Sequence, residues 1–235
     1  MRRNSCASVF RSAGRSAHPT SRHAARDNVT TPGSFSRGIW LGSTSNNVFN
    51  NTAIQNVQGG ANSIYGIYMV GATGNQFTDT TIDGISGLPG TVANQAWGVL
   101  LQVCSDNTFT NYTAQNLSAT QQVAGIAQLY EQANDTFENV LVENVAIVGT
   151  YGAATLATGI AVQPLPPPNP TSQDHVYRDV VIRNINGLAS TFVRGVYLKE
   201  TTNVQLLNVD VSLAGVANDV QEASAYRLIR TVNTQ

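Results

Sequence analysis

Fourteen carboxylates, three histidines and two cysteines are the groups this 235-residue chain offers for acid–base, nucleophilic or metal chemistry. Glycoside hydrolysis needs two carboxyls, about 5–5.5 Å apart for retention and about 6.5–9.5 Å for inversion. Calcium-dependent cleavage needs several carboxylate oxygens converging on one ion. Cys6, Cys104, His18, His23 and His175 are scattered and make no zinc pattern, so neither a metal site nor a cofactor is expected. The acids nearest to pairing are Glu131 with Glu200 and Asp83 with Glu143. Whether either pair converges depends on the elements that carry them.

Those elements repeat. Aligned on one aromatic, "SNNVFNNTAIQNV", "TGNQFTDTTIDGI", "SDNTFTNYTAQNL", "ANDTFENVLVENV" and "QDHVYRDVVIRNI" superimpose without a gap. The key slot holds Phe49, Phe77, Phe109, Phe137, Tyr177 and then Leu206, at spacings of 28, 32, 28, 40 and 29 residues. Asn or Asp recurs two residues later at Asn51, Asp79, Asn111, Asn139, Asp179 and Asn208. Three residues before the slot come Asn46, Gly74, Asp106, Asn134, Asp174 and Asn203; seven after it come Asn56, Gly84, Asn116, Asn144 and Asn184. Upstream of each slot lies a glycine followed by apolar residues, "GIWL", "GIYM", "GVLL", "GIAQL", "GIAV" and "GVYL", beginning at Gly38, Gly66, Gly98, Gly125, Gly159 and Gly195.

Each repeat thus holds short strands separated by Asn, Asp or Gly corners. Asparagine bonds its own backbone and tolerates left-handed φ at such corners. No helical period follows the corner, which excludes leucine-rich repeats, and tight hairpin signals for propeller blades are missing. The arrangement predicted is all-β, a parallel β-helix of about six to seven coils over residues 35–235, with equivalent residues stacked at about 4.7–4.9 Å.

The pattern G-I-x-L…N-x-F-x-N-x-x-I-x-N resembles the right-handed parallel β-helix repeat of the pectin-lyase-like superfamily, over roughly Arg37 to Leu213. The resemblance implies the right hand, a polysaccharide partner, an extracellular or cell-surface setting, and active sites on the outer face of one sheet. If the chain is catalytic, it implies lyase, hydrolase or epimerase chemistry on an acidic glycan. The other expectation is a non-catalytic structural or adhesive segment, as in phage tail spikes or surface proteins.

Strand alternation puts Ile39 and Leu41 inward and Trp40 outward. The outward ladder is then Trp40, Tyr68, Leu100, Ala127, Ala161 and Tyr197, and a second reads Gly42, Val70, Gln102, Leu129, Gln163 and Lys199. Neither contains a carboxylate. Glu131 and Glu200 follow the strand two coils apart, roughly 10 Å along the axis. On another face Glu143 should neighbour Arg183, and Glu138 should neighbour Arg178, as inter-coil ion pairs. No catalytic pair is assigned. Trp40, Tyr68 and Tyr197 could stack on sugar rings while Gln102, Gln163 and Lys199 bond hydroxyls or a uronate. The opposing expectation is that the N-terminal segment, a loop or another subunit covers these aromatics. His175 reads as a corner substitute where the four preceding coils carry Asn or Asp, and Cys104 as an inert packing residue.

From Met1 to Arg37 there are seven arginines and one acid, Asp27, whereas the remainder carries thirteen acids and six basic residues. The mildly acidic body makes nucleic acid an unexpected partner. Residues 1–34, rich in Arg, Ser and Ala, are expected to be a disordered segment. They show no apolar stretch of the roughly 7–15 residues a secretory signal needs, and no transmembrane run is present. An open end predicts a homo-oligomer or membership of a larger β-helix.

Overall fold

The computed structural model describes residues 7–15, 21–22, 25–26, 28–31, 35–60, 62–87, 95–148, 155–163, 172–187, 191–213, 222–229, 231–232 and 234. Cys6, His18, His23 and the proline-rich insertion 164–171 lie outside these residues. Six coils repeat, each with a strand in sheet A followed by one in sheet B. They are Phe35–Ser45 with Val48–Gly59, Ser63–Val70 with Gln76–Gly87, Gln95–Ser105 with Thr108–Ala119, Gln122–Ala133 with Thr136–Ile147, Thr155–Gln163 with Val176–Asn186, and Thr191–Lys199 with Gln205–Ser212. Every pairing is parallel, each strand to its equivalent one coil on. The backbone of Ala7–Arg15 joins sheet A beside Phe35–Ser45, and Glu222–Ile229 joins its other edge. The result is the parallel β-helix expected: six strand pairs joined by about five turns, a minor difference from the six to seven coils predicted.

The key slot is the axis of the core. Phe49, Phe77, Phe109 and Phe137 are fully buried and stack at 4.6–4.7 Å with nearly parallel rings; Tyr177 continues the column at 5.5 Å. Offset stacking adds to what area burial contributes. Around this column the Asn and Asp corners adopt left-handed φ at all three predicted positions, Asn46, Asn51 and Asn56 at 56°, 52° and 52° in the first coil. Their side chains bond coil to coil: Asn139 donates to Asn111, Asn111 to Asp79, Asn184 to Asn144 and Asn144 to Asn116. Where Gly84 offers no side chain, Asn116 reaches Asp83 instead at 2.7 Å.

A fourth left-handed corner carries almost no sequence signature. Ser43, Gly71, Val103, Tyr130 and Glu200 occupy it, and Val103 has φ 53°. A β-branched residue there is strained.

Candidate functional site

Sheet A does not alternate strictly. A Cβ on Gly66 would lie 2.6 Å from the Gly98 carbonyl oxygen and 2.7 Å from the Ile82 side chain. The strand bends at this bare position, so the residue before the glycine and the one two after it share the outer face. The Tyr65 and Tyr68 rings accordingly stack at 4.6 Å. Strict alternation placed Trp40 and Tyr68 correctly but hid the neighbouring ladder of Arg37, Tyr65 and Trp97. Its signal was the glycine itself, recurring where an inward Cβ would strike the next coil.

At the first coils this face forms a cleft of about 390 Å³ lined by Arg37, Trp40, Gly42, Ser43, Tyr68 and Val70. Trp40 pairs with Tyr68 in adjacent strands. The indole lies along its own strand because Gly42 has no side chain: a Cβ there would sit 2.8 Å from the Trp40 ring. The Tyr68 hydroxyl donates to Gln102 Oε1 at 2.6 Å, which pins the ring from the third coil. The Arg37 guanidinium lies 4.9 Å from the Tyr68 ring centre and 5.7 Å from that of Tyr65, a cation–π arrangement. Burial raises the Tyr68 hydroxyl pKa above its ordinary value, so it is a neutral donor at physiological pH.

The remaining candidates lie elsewhere. Leu129 stands between Gln102 and Gln163, in the second ladder. Gln163 is exposed and Lys199 half-buried. Tyr197 is only 7% exposed and lies beneath Arg194, whose guanidinium is 4.5 Å from its ring. Four coils separate it from Tyr68, roughly 19 Å. Between these ends Trp97, Leu100, Ala124, Ala127 and Ala161 form a buried apolar cluster with Tyr65. The outer face is therefore open at the first coils and closed in the middle.

The acids behave as structure. Glu143 meets Arg183 at 2.8 Å and Glu138 meets Arg178 at 3.5 Å, the two expected pairs, each worth at most about 1 kcal/mol where exposed. Asp83 accepts from Gln115 and Asn116. Glu200 is buried at a left-handed corner of coil six; the Glu131 side chain lies outside what the structure describes.

One buried group has the composition of a nucleophilic triad. Ser172 Oγ is 2.7 Å from His175 Nε2, and His175 Nδ1 is 3.9 Å from Asp135 Oδ2. All three side chains are fully buried inside the solenoid, and Gln128 Nε2 stands between the acid and the imidazole. A substrate cannot reach them, and 3.9 Å is too long for the orienting bond such a triad needs. Burial pushes Asp135 up to about 6 and His175 down to about 4. His175 does take the place of an Asn or Asp, but the left-handed corner is its neighbour Asp174. His175 points inward in the buried column of Asn47, Asn75, Asn107 and Asp135 and is not the corner expected.

Fold and face together define an all-β parallel solenoid, a β-helix. Within that class the chain belongs to the NosD family, described as periplasmic copper-binding protein, whose model matches residues 4–157. No curated protein sequence matches the chain. Among solved structures it is similar to the Yersinia enterocolitica family 28 exopolygalacturonase, at 10% identity and TM-score 0.30, covering 84% of this chain and 47% of that one. It is also similar to the catalytic domain of a GH87 α-1,3-glucanase in complex with nigerose, at 13% identity and TM-score 0.24, covering 99% of this chain and 63% of that one. The chain therefore spans less than two thirds of either structure, and likeness at this level speaks to neither substrate nor activity.

The family description raises copper. Among the described residues no three His, Cys, Asp or Glu side chains come together as a ligand group. Burial pushes the Cys104 thiol up to about 12, and its hydrogen points to the Gln102 carbonyl, so it is a packing residue and not a thiolate ligand. Both His175 nitrogens are engaged, by Gln128 and by Ser172. The described donor set does not fit copper.

Proposed function

We propose that the chain is a polysaccharide-associated β-helix protein that binds a glycan in the cleft at its first coils. The observation that carries this reading is the pair of adjacent aromatic rings, Trp40 and Tyr68, bordering a cleft of about 390 Å³, within the size range of small-ligand sites. Sugar rings present apolar C–H faces to such rings, and the hydroxyl-rich edges can bond Ser43 and the Tyr68 hydroxyl. The described lining holds no carboxylate, so the reading is recognition, with turnover on an acidic glycan the extension to be tested. The periplasmic description of the family supports an extracytoplasmic setting for this chain; no helix among the described residues is long and apolar enough to cross a membrane.

A glycan array, with an ultraviolet assay for unsaturated uronate products, tests the reading. Binding that falls at least tenfold in Trp40→Ala and Tyr68→Ala, and persists in Tyr197→Ala, is expected. Unchanged binding in the first two rejects the cleft. A second reading, a structural or adhesive segment, draws support from the side-chain amide ladders that run along the solenoid exterior; an array with no glycan bound would favour it.

A further inference from the structure

Coils one to three share three inward slots, although coil three buries Tyr112 and Ala114 where the first two coils carry Thr52 with Ile54 and Thr80 with Ile82. The inward slot three residues after the glycine holds Leu41, Met69 and Leu101, and the key slot holds Phe49, Phe77 and Phe109, all buried. The slot two residues before the key position holds Asn47, Asn75 and Asn107, also buried. Each of these asparagines uses its backbone N–H and its Nδ2 to donate to the Oδ1 of the next residue in the ladder, at 2.8–3.1 Å. Every step of this column looks the same to an incoming coil.

Coils four and five between them depart at all three slots, although coil four keeps Phe137 in the key slot and coil five keeps the aliphatic Val162. Gln128 replaces the aliphatic, Asp135 and His175 replace the asparagine, and Tyr177 replaces phenylalanine. The departures satisfy one another. Asp135 Oδ1 terminates the ladder by accepting both donors of Asn107, and its Oδ2 accepts from Gln128 Nε2 at 2.9 Å. Gln128 Nε2 is also 3.3 Å from His175 Nδ1, the Tyr177 hydroxyl donates to Gln128 Oε1, and His175 Nε2 meets Ser172 Oγ. Removing one member leaves a fully buried polar group without its partner, whereas replacing Gln128, Asp135, His175 and Tyr177 together by the residues of the first coils leaves only the Ser172 hydroxyl to be satisfied anew. The departures also fall where the repeat is most irregular: 40 residues separate Phe137 from Tyr177, against 28–32 elsewhere, with the insertion between.

We propose that Gln128, Asp135, Ser172, His175 and Tyr177 are a register lock, a single polar joint that lets coil five stack on coil four and on no other coil. Without it the chain returning from the long insertion would meet a column whose earlier steps offer the same phenylalanine and asparagine slots. A unique buried polar group that selects one register among equivalents is a device with precedent in helical assemblies. Here the fully connected network performs that selection.

The test reverts four slots to the pattern of the first coils, Gln128→Leu, Asp135→Asn, His175→Asn and Tyr177→Phe, singly and together. Each single reversion is expected to lower the folding equilibrium constant at least tenfold in denaturant titration, and the quadruple to lower it by much less than the product of the four. Multiplicative single effects would overturn the mutual dependence, as would a quadruple variant that fails to fold. Register is read by disulfide trapping in a Cys6→Ala, Cys104→Ala background. Glu143→Cys with Arg183→Cys reports coil five on coil four; Gln115→Cys with Arg183→Cys reports coil five on coil three. The second link should form only in the quadruple reversion. Its absence there would overturn the lock.

Discussion

The two ends of the outer face of sheet A use the same slots and reach opposite outcomes. At the first coils Arg37 leans over Tyr65 and Tyr68, and Trp40 borders an open cleft. At the sixth coil Arg194, in the equivalent slot, leans over Phe192 and Tyr197 of its own strand, yet it is 9% exposed and Glu222 stands 3.8 Å from it. The difference lies in what the next strand carries. Glu222–Ile229 brings a carboxylate to the arginine and Arg227 beside Tyr197, whereas Trp40 faces Tyr68 on its own sheet and Gly42 leaves room along the strand. A repeated slot supplies a place for a side chain; its neighbours decide whether that place is a surface or a core.

That contrast can be broken most severely at the glycines. Gly66→Ala puts a methyl against a backbone carbonyl that cannot yield, and a loss of about 3 kcal/mol is expected, with disruption of the Tyr65–Tyr68 stack visible in near-ultraviolet circular dichroism. Between the two ends lies the polar joint, where pH gives a signed test. Neutral His175, with its folded pKa lowered to about 4 from 6.5, makes the fold gain stability as pH rises from 4 to 6.5. Asp135, raised to about 6 from 3.8, makes it lose stability between about 4 and 6. The slopes oppose in the wild type. Asp135→Asn should leave only the rising slope and His175→Asn only the falling one, each on the order of 2 kcal/mol across that window, measured as melting temperature at pH 4, 5 and 6.

At the closed end Glu222→Ala should cost about 2 kcal/mol by leaving Arg194 largely buried beside no carboxylate, and should open the face around Tyr197; unchanged quenching of tyrosine fluorescence by acrylamide would contradict that. At the open end Val103→Gly removes left-handed strain one residue after Gln102 and should stabilise by about 1 kcal/mol in denaturant titration. Glu143→Gln, on the other sheet, should change stability by less than about 1 kcal/mol, less still in high salt.

The repeat was legible because its determinants are local. An Asn at a left-handed corner, a Phe in the key slot of each of the first four coils and a β-branched residue at Ile54 and Ile82 each state their own environment, and the ion pairs Glu143–Arg183 and Glu138–Arg178 follow from register alone. Half of the site was legible for the same reason: alternation puts Trp40 and Tyr68 outward. Arg37, Tyr65 and Trp97 were missed because a bend at glycine shifts the phase of alternation, which no single strand announces.

The sequence by itself determined the solenoid, its corners and its stacked column, since stacking repeats one local rule and adds neighbouring coils at a constant rise. Only the tertiary structure decided which outward slots stay open, that Tyr197 is covered while Trp40 borders a cleft, and that Gln128, Asp135, Ser172, His175 and Tyr177 are one network. Exposure and hydrogen-bond partnership belong to groups brought together from different coils, up to 49 residues apart between Gln128 and Tyr177, and no spacing within a single repeat encodes them.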